Sequence, residues 1–213
     1  LQTISPNNIY TPFDIFKKSI EQVDIRMLWE KVSTKNLSLN MFKNIMHANT
    51  PETEGHCNRL QQMASAIANI MSETHAITQE QQSLLGMGAL LHDVGKILVP
   101  PNILNKPGKL TDEEFDIMKK HSNYGADFFK HEKVFEELYL IVKHHHERFD
   151  GRGYPNGIRL TELPITVAIV SFVDSVDAIL SQRCYKEAKP VSYLLQEIER
   201  CSGTQFHPDA VDA

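Results

Sequence analysis

Apolar side chains recur at every third or fourth residue along most of this chain, and no stretch alternates between apolar and polar for long. That period suits helices with one buried face and gives a sheet no face to bury. After a loose start around Pro6, Phe13, Phe16, Ile20, Val23 and Met27 outline one amphipathic segment, and Leu39 to Met46 another before Pro51. From His56 onward, Leu60, Met63, Ala64, Ile67, Ala68 and Met71 mark one face of a long helix, with His56 at its N-terminal end. Gln79 to Asp93 reads as a leucine-rich core helix, with Gly95 expected as its left-handed C-terminal cap. Pro100, Pro101 and Pro107 predict a loop, and Thr111 with Glu114 spells a capping box that opens a helix from Asp112 to about His121. Further helices are expected over Val134 to His146, Leu163 to Leu180 and Val191 to Cys201, the last ended by Gly203. Asp150 to Pro155 should be irregular, because its glycines and proline break any regular element. The expected fold is an all-α bundle without internal repeats.

With 213 residues, 41% hydrophobic and 23% charged, the chain can bury one sizeable core. Its net charge of −5 offers no basic field for a nucleic-acid polymer or an anionic membrane surface. Any phosphate must be held locally. The longest apolar stretch, Leu163 to Val173, is interrupted by Pro164 and Thr166 and falls far short of a membrane span. Cys57, Cys184 and Cys201 show neither disulfide nor thiolate-zinc spacing, which favours a reducing cytoplasm. The chain opens on Leu1 without an initiator Met, as an excised piece would, so a leader or upstream domain is left open.

Ten histidines are the compositional anomaly. A lone histidine, or a His-Asp pair, is common by chance; their conjunction carries weight. His92-Asp93, His121, His145-His146 and Asp174 fall at the ends or faces of separate helices that could converge. Imidazole and carboxylate without thiolate suit Fe, Mn, Ni or Zn in a catalytic site.

His92-Asp93-Val94-Gly95-Lys96, then Lys106-Pro107-Gly108-Lys109-Leu110-Thr111, His121, His145-His146-Glu147-Arg148 and Asp150-Gly151-Arg152-Gly153-Tyr154-Pro155 follow one another in that order. Asp174-Ser175-Val176-Asp177-Ala178 and Gly203-Thr204-Gln205-Phe206-His207-Pro208 continue the string. From about Pro51 onward, the chain strongly resembles the HD-GYP subgroup of HD-domain phosphohydrolases. The resemblance implies an HD-type helical bundle over 51–213 with an irregular GYP loop beside the metals. Residues 1–50 would be a helical or linker segment, the tail of a regulatory region. It further implies metal-dependent hydrolysis of cyclic di-GMP to pGpG, and on to GMP if the product reseats.

Carried over by the resemblance, His56, His92, Asp93, His121, His145, His146 and Asp174 are metal ligands, with Asp93 bridging two ions. Glu52 accompanies a three-metal site in the family, so two or three divalent ions are implied, iron foremost, with Mn, Ni or Zn as substitutes. Three carboxylates leave such a pocket net positive, so the ions bind the phosphodiester, and a water shared between them would attack phosphorus in line. Lys96 would hold a phosphate oxygen or assist the leaving oxygen. Arg183 and Lys186 would reach the second phosphate and guanine, although Cys184 stands where the family has proline. Arg152 and Tyr154 belong with the nucleotide, and Glu147 and Asp177 orient ligand imidazoles or bind substrate.

His144 points about 100° away from its neighbour and should stay outside the cluster. His47, His75, His131 and His207 read as surface or packing residues, and Cys57 should face away from the ligands. The rival enzymatic readings are hydrolysis of hybrid cyclic GMP-AMP or of another nucleotide. The rival of another class is a binding module that retains a cyclic dinucleotide, or partners a diguanylate cyclase or sensor domain, without useful turnover.

Overall fold

The computed structural model describes residues 54–130, 133–181 and 189–213. The helical segments expected before Pro51, and with them Glu52, His47, His131, Arg183, Cys184 and Lys186, lie outside those residues. The described part is helical, with two isolated backbone bridges, Arg148 to Arg159 and Ser202 to Phe206, and no strand.

In chain order the helices are α1 (Glu54–His75), α2 (Gln79–Leu91), α3 (Pro101–Leu104), α4 (Asp112–Lys119), α5 (His121–Asp127), α6 (Glu136–His144), α7 (Ile165–Leu180), α8 (Val191–Cys201) and α9 (Pro208–Asp212). Short 3-10 turns cover Val94–Leu98, Lys133–Phe135 and Leu160–Glu162. Helix α1 packs on α2 and α7, α2 packs on α6, and α5 sits between α6 and the Val94–Leu98 turn.

The apolar period read in the sequence is the one that is buried. Leu60, Ala64 and Ala68 of α1 meet Leu85 and Ala89 of α2, Ile141 of α6 and the run from Val167 to Val173 of α7. A second cluster joins Cys57, Leu90, Leu91 and Val94 to Phe129, Phe135, Leu138 and Val142. Side chains such as Leu60, Leu85 and Leu138 are wholly buried, each worth about 2 kcal/mol of transfer free energy. The ends of α2, α5 and α6 and the middle of α7, which carry His92, His121, His145 and Asp174, lie around these clusters, so the core fixes their mutual placement.

Both capping boxes are formed. Thr78 Oγ1 accepts the Gln81 N–H while Gln81 returns to the Thr78 N–H, and Thr111 and Glu114 do the same at α4. Helix α4 otherwise buries none of its residues.

Three expectations need correction. Gly95 is no left-handed cap: the chain continues from α2 into a 3-10 turn, and φ is positive only at Gly108, Gly151, Gly157 and Gly203 among the described glycines. Gly95 is instead a point of close approach, since a Cβ there would lie 1.9 Å from the His121 carbonyl oxygen and 2.5 Å from the Gly125 nitrogen. Pro101 starts helix α3 rather than a loop, because at the first helical position its missing N–H costs nothing. His121 opens α5 instead of closing α4, the two helices meeting at Lys120, whose backbone stays in the right-handed helical region.

Candidate metal centre

Each helix end delivers its histidine in the same way. His92 Nδ1 lies 3.0 Å from the Ala89 carbonyl, His121 Nδ1 2.7 Å from that of Met118, and His145 Nδ1 2.9 Å from that of Val142. A carbonyl only accepts, so Nδ1 carries the proton and Nε2 presents its lone pair outward. The acceptor is always the carbonyl three residues earlier, one of the last carbonyls of a helix turn. A buried histidine at a helix end is thus aimed by the turn that precedes it, which for His121 is the last turn of α4.

These Nε2 atoms converge on Asp93. His92 Nε2 is 3.1 Å from Oδ2, while His121 and His145 Nε2 are 3.2 and 3.8 Å from Oδ1. His121 and His145 Nε2 are 3.4 Å apart. Two sets of donor atoms each lie within 4.8 Å of one another: Asp93, His121, His145 and His146, and His56, His92 and Asp93. Asp174 adjoins the second set, its Oδ1 lying 3.8 Å from His56 Nε2 and 3.9 Å from His92 Nε2.

The donor set fits a divalent metal. Asp93 Oδ1 is buried with no aligned hydrogen-bond donor. Imidazole lone pairs facing a carboxylate oxygen repel unless a cation lies between them. Burial, reinforced by the surrounding imidazoles, pushes His145 and His146 well below the ordinary histidine range and keeps them neutral, the state a ligand requires. Burial alone would raise Asp93, but the Lys96 ammonium and His92 hold it well below the carboxylate range. Lys96 Nζ sits 2.6 Å from Asp93 Oδ2.

Beside this cluster opens a cavity of about 280 Å³ walled in part by His145, His146, Arg148, Arg152, Tyr154 and Asp174. The Tyr154 ring lies over His146, centroids 4.6 Å apart and planes 32° apart. Glu147 holds the loop in place. Its buried carboxylate accepts the N–H groups of Asn156, Gly157 and Ile158 at 2.7, 3.1 and 3.2 Å. Gly153 lets the loop touch down, since a Cβ there would meet the Glu147 Cα and the His146 oxygen at 2.5 Å. The closing motif of the sequence seals the loop base: the Phe149 and Asp150 N–H groups donate to the Gln205 and Thr204 carbonyls. Arg148 forks onto Asp150, which it draws down to about 2, and reaches the Gln205 amide.

The structure therefore brings together His56, His92, Asp93, His121, His145, His146 and Asp174, with Lys96 on Asp93 and Arg152 and Tyr154 at the cavity. His144 stays out, buried with Nδ1 3.6 Å from Glu147. Cys57 points into the second core cluster. Asp177 is 3% exposed and absent from the cavity wall, its oxygens taken by His56 Nδ1 at 2.7 Å and by Arg59 and Ser181, an arrangement that orients the His56 imidazole. Glu147 orients the loop rather than a ligand imidazole. Arg59 and Arg148 escaped the sequence reading. For Arg59 the available signal was its three-residue spacing from His56, which shares one helix face.

The described residues form a helical fold around a His/Asp cluster that could hold metal ions, and the comparisons give its family. The HD domain family matches residues 41–210, and the chain belongs to that family. Among similar proteins, a cyclic di-GMP phosphodiesterase of Thermotoga maritima is 40% identical over 164 residues, covering 76% of this chain and 44% of the relative. A 3′3′-cGAMP-specific phosphodiesterase 2 of Vibrio cholerae is 31% identical over 182 residues, covering 84% of this chain and 34% of the relative. The chain thus spans less than half the length of these curated relatives. An HDG"Y"P protein from Bdellovibrio bacteriovorus shares the fold, with a TM-score of 0.58, 21% identity, and coverage of 99% of this chain and 72% of that one. Among the described residues no helix is long and apolar enough to cross a membrane.

Proposed function

We propose that this HD domain is a metal-dependent phosphodiesterase that opens cyclic di-GMP to pGpG. The observation that carries the reading is the juxtaposition of an inward-facing Nε2 and carboxylate cluster with a cavity walled by Tyr154, Arg148 and Arg152. Divalent ions, when bound, supply Lewis acidity toward the phosphoryl oxygen and a water acidic enough to act near neutral pH. The rest falls to the chain's own residues. His92, Asp93, His121, His145, His146, His56 and Asp174 hold the ions, and Glu52 adds a further carboxylate. Lys96, beside Asp93, meets a non-bridging oxygen or the leaving 3′ oxygen. Tyr154 and Arg152 border the nucleotide, with Arg183 and Lys186 on its far side. Iron is the proposed metal, with Mn, Ni or Zn as substitutes, since imidazole and carboxylate without thiolate suit all four. The free thiols Cys57 and Cys201 support a cytoplasmic setting, with a sensor domain or a diguanylate cyclase as partner.

A second substrate, 3′3′-cGAMP, is favoured by the Vibrio cholerae relative. Anaerobically purified protein loaded with Fe²⁺ or Mn²⁺ should convert cyclic di-GMP to pGpG, followed by chromatography. Faster turnover of 3′3′-cGAMP would move the assignment to the second substrate. Tight retention of either dinucleotide without product would make the domain a receptor.

A further inference from the structure

On α1, Arg59 follows His56 by three residues, so both side chains leave the same helix face. That face meets α7, where Asp174, Asp177 and Ser181 follow at three- and four-residue steps. Arg59 Nε donates to Asp177 Oδ1 at 2.5 Å and Nη2 to Oδ2 at 3.0 Å. Nη2 also donates to Ser181 Oγ at 2.9 Å, and that hydroxyl reaches Asp177 Oδ2 at 3.0 Å. Asp177 Oδ2 in turn accepts the His56 Nδ1 proton at 2.7 Å.

The energetic weight of this chain of contacts does not lie in stability. The Arg59 side chain is 49% exposed, and ion pairs at such positions contribute about 1 kcal/mol or less. Its geometry matters more. A two-point fork fixes the plane of the carboxylate, which a single ammonium contact cannot do. That plane sets the direction of the His56 Nδ1–H and, through the rigid ring, of Nε2 toward Asp174 Oδ1. The Ser181 contact adds a second effect. Ser181 closes α7, so Arg59 ties that end of α7 to α1 beside the ligands both helices supply.

We propose that Arg59 is a positioning residue for metal binding: through Asp177 it fixes the orientation and tautomer of His56, and so sets the affinity of the ion shared by His56, His92, Asp93 and Asp174. The ion held by Asp93, His121, His145 and His146 does not depend on it. Those histidines are aimed by carbonyls three residues back in the chain or lie under Tyr154, and the bonds that aim them do not run through Arg59. The inference rests on the metal-centre reading above and would fall with it.

The test uses the whole chain, stripped of metal and titrated with Mn²⁺ against a competing indicator, with bound equivalents counted by elemental analysis. The native chain should bind at least two ions. Arg59→Ala should weaken one of them by about 10- to 100-fold, the range for groups that orient a ligand, and leave the affinity of another unchanged. Arg59→Lys keeps the charge but loses the fork and should recover only part of that loss. It carries the same comparison if Arg59→Ala does not fold. Equal affinities for all ions in native and variant chains would overturn the inference and leave the metal centre standing. Parallel weakening of every ion, together with a lower melting temperature of the metal-free protein, would reduce Arg59 to a structural contact. A native chain that binds no Mn²⁺ would overturn the metal centre itself.

Discussion

His121 and His56 stand on opposite sides of Asp93 and Asp174 and are aimed by different means. His121, like His92 and His145, is oriented by a carbonyl three residues back, a short-range bond that for His121 crosses from α4 to α5. His56 is oriented by Asp177, 121 residues away, and by the arginine that holds Asp177. The Asp93, His121 and His145 side therefore rests on short-range contacts, whereas the other side joins the locally aimed His92 to a His56 that depends on tertiary packing. A locally aimed ligand survives small shifts between helices. A remotely aimed one registers them, which makes the His56 side the more easily disturbed half.

The strongest way to break this contrast is to remove the residue both halves share. Asp93→Asn should cost metal on both sides and lower turnover more than about a hundredfold, with the helical circular dichroism retained. Elemental analysis beside single-turnover kinetics checks this, and retained activity would remove Asp93 from the centre.

Gly95→Ala attacks the locally aimed half. Its methyl would collide with backbone at His121 and Gly125, which cannot swing aside as a side-chain tip does. Stability should fall by about 3 kcal/mol in denaturant melts, and the ion held with His121 should weaken before that held with His56.

Glu147→Gln is a milder cut, since the amide keeps the volume but offers one acceptor oxygen to a loop that donates three N–H groups. A loss of about 1 to 3 kcal/mol in stability is expected, with KM rising more than kcat falls as Tyr154 loses its register on His146. Unchanged KM would detach the loop from substrate binding.

The smallest effect is a matter of pH. Arg148 holds Asp150 at about 2 in the folded chain, below its ordinary value. The pair's contribution, about 1 kcal/mol, is therefore complete above about pH 5 and disappears as pH falls from 4 toward 2. Asp150→Asn should be less stable than the native chain at pH 6 and match it near pH 2.

Why the sequence reveals one half of the centre better than the other follows from the same contrast. The helices and their caps were legible because apolar spacing and the Thr111–Glu114 box are local signals. The donor residues that the fold gathers were legible because His92-Asp93, His145-His146 and the glycine-rich loop recur in a known order. Gly95 was misread because a glycine after a helix looks alike whether it turns left-handed or admits a neighbouring backbone; only the approach of α5 decides. Arg59 was missed for the reason that makes it interesting, since its partner lies on a helix more than a hundred residues further along. Asp177 was placed among two roles, and only its burial separates them.

Helix α4 carries a different consequence. It buries no residue and stands on its capping box, on the Lys106 ammonium 2.5 Å from Glu114 and on the edge contact between Phe115 and Tyr154. Amide protons within 112–119 should therefore exchange with solvent by local fraying, at a rate indifferent to denaturant-sensitive global unfolding, while those of α2 and α7 wait for the whole bundle to open. The outer rim of the cavity, at Tyr154, then borders a helix that opens by itself, and its far wall, at Asp174, one that opens with the bundle.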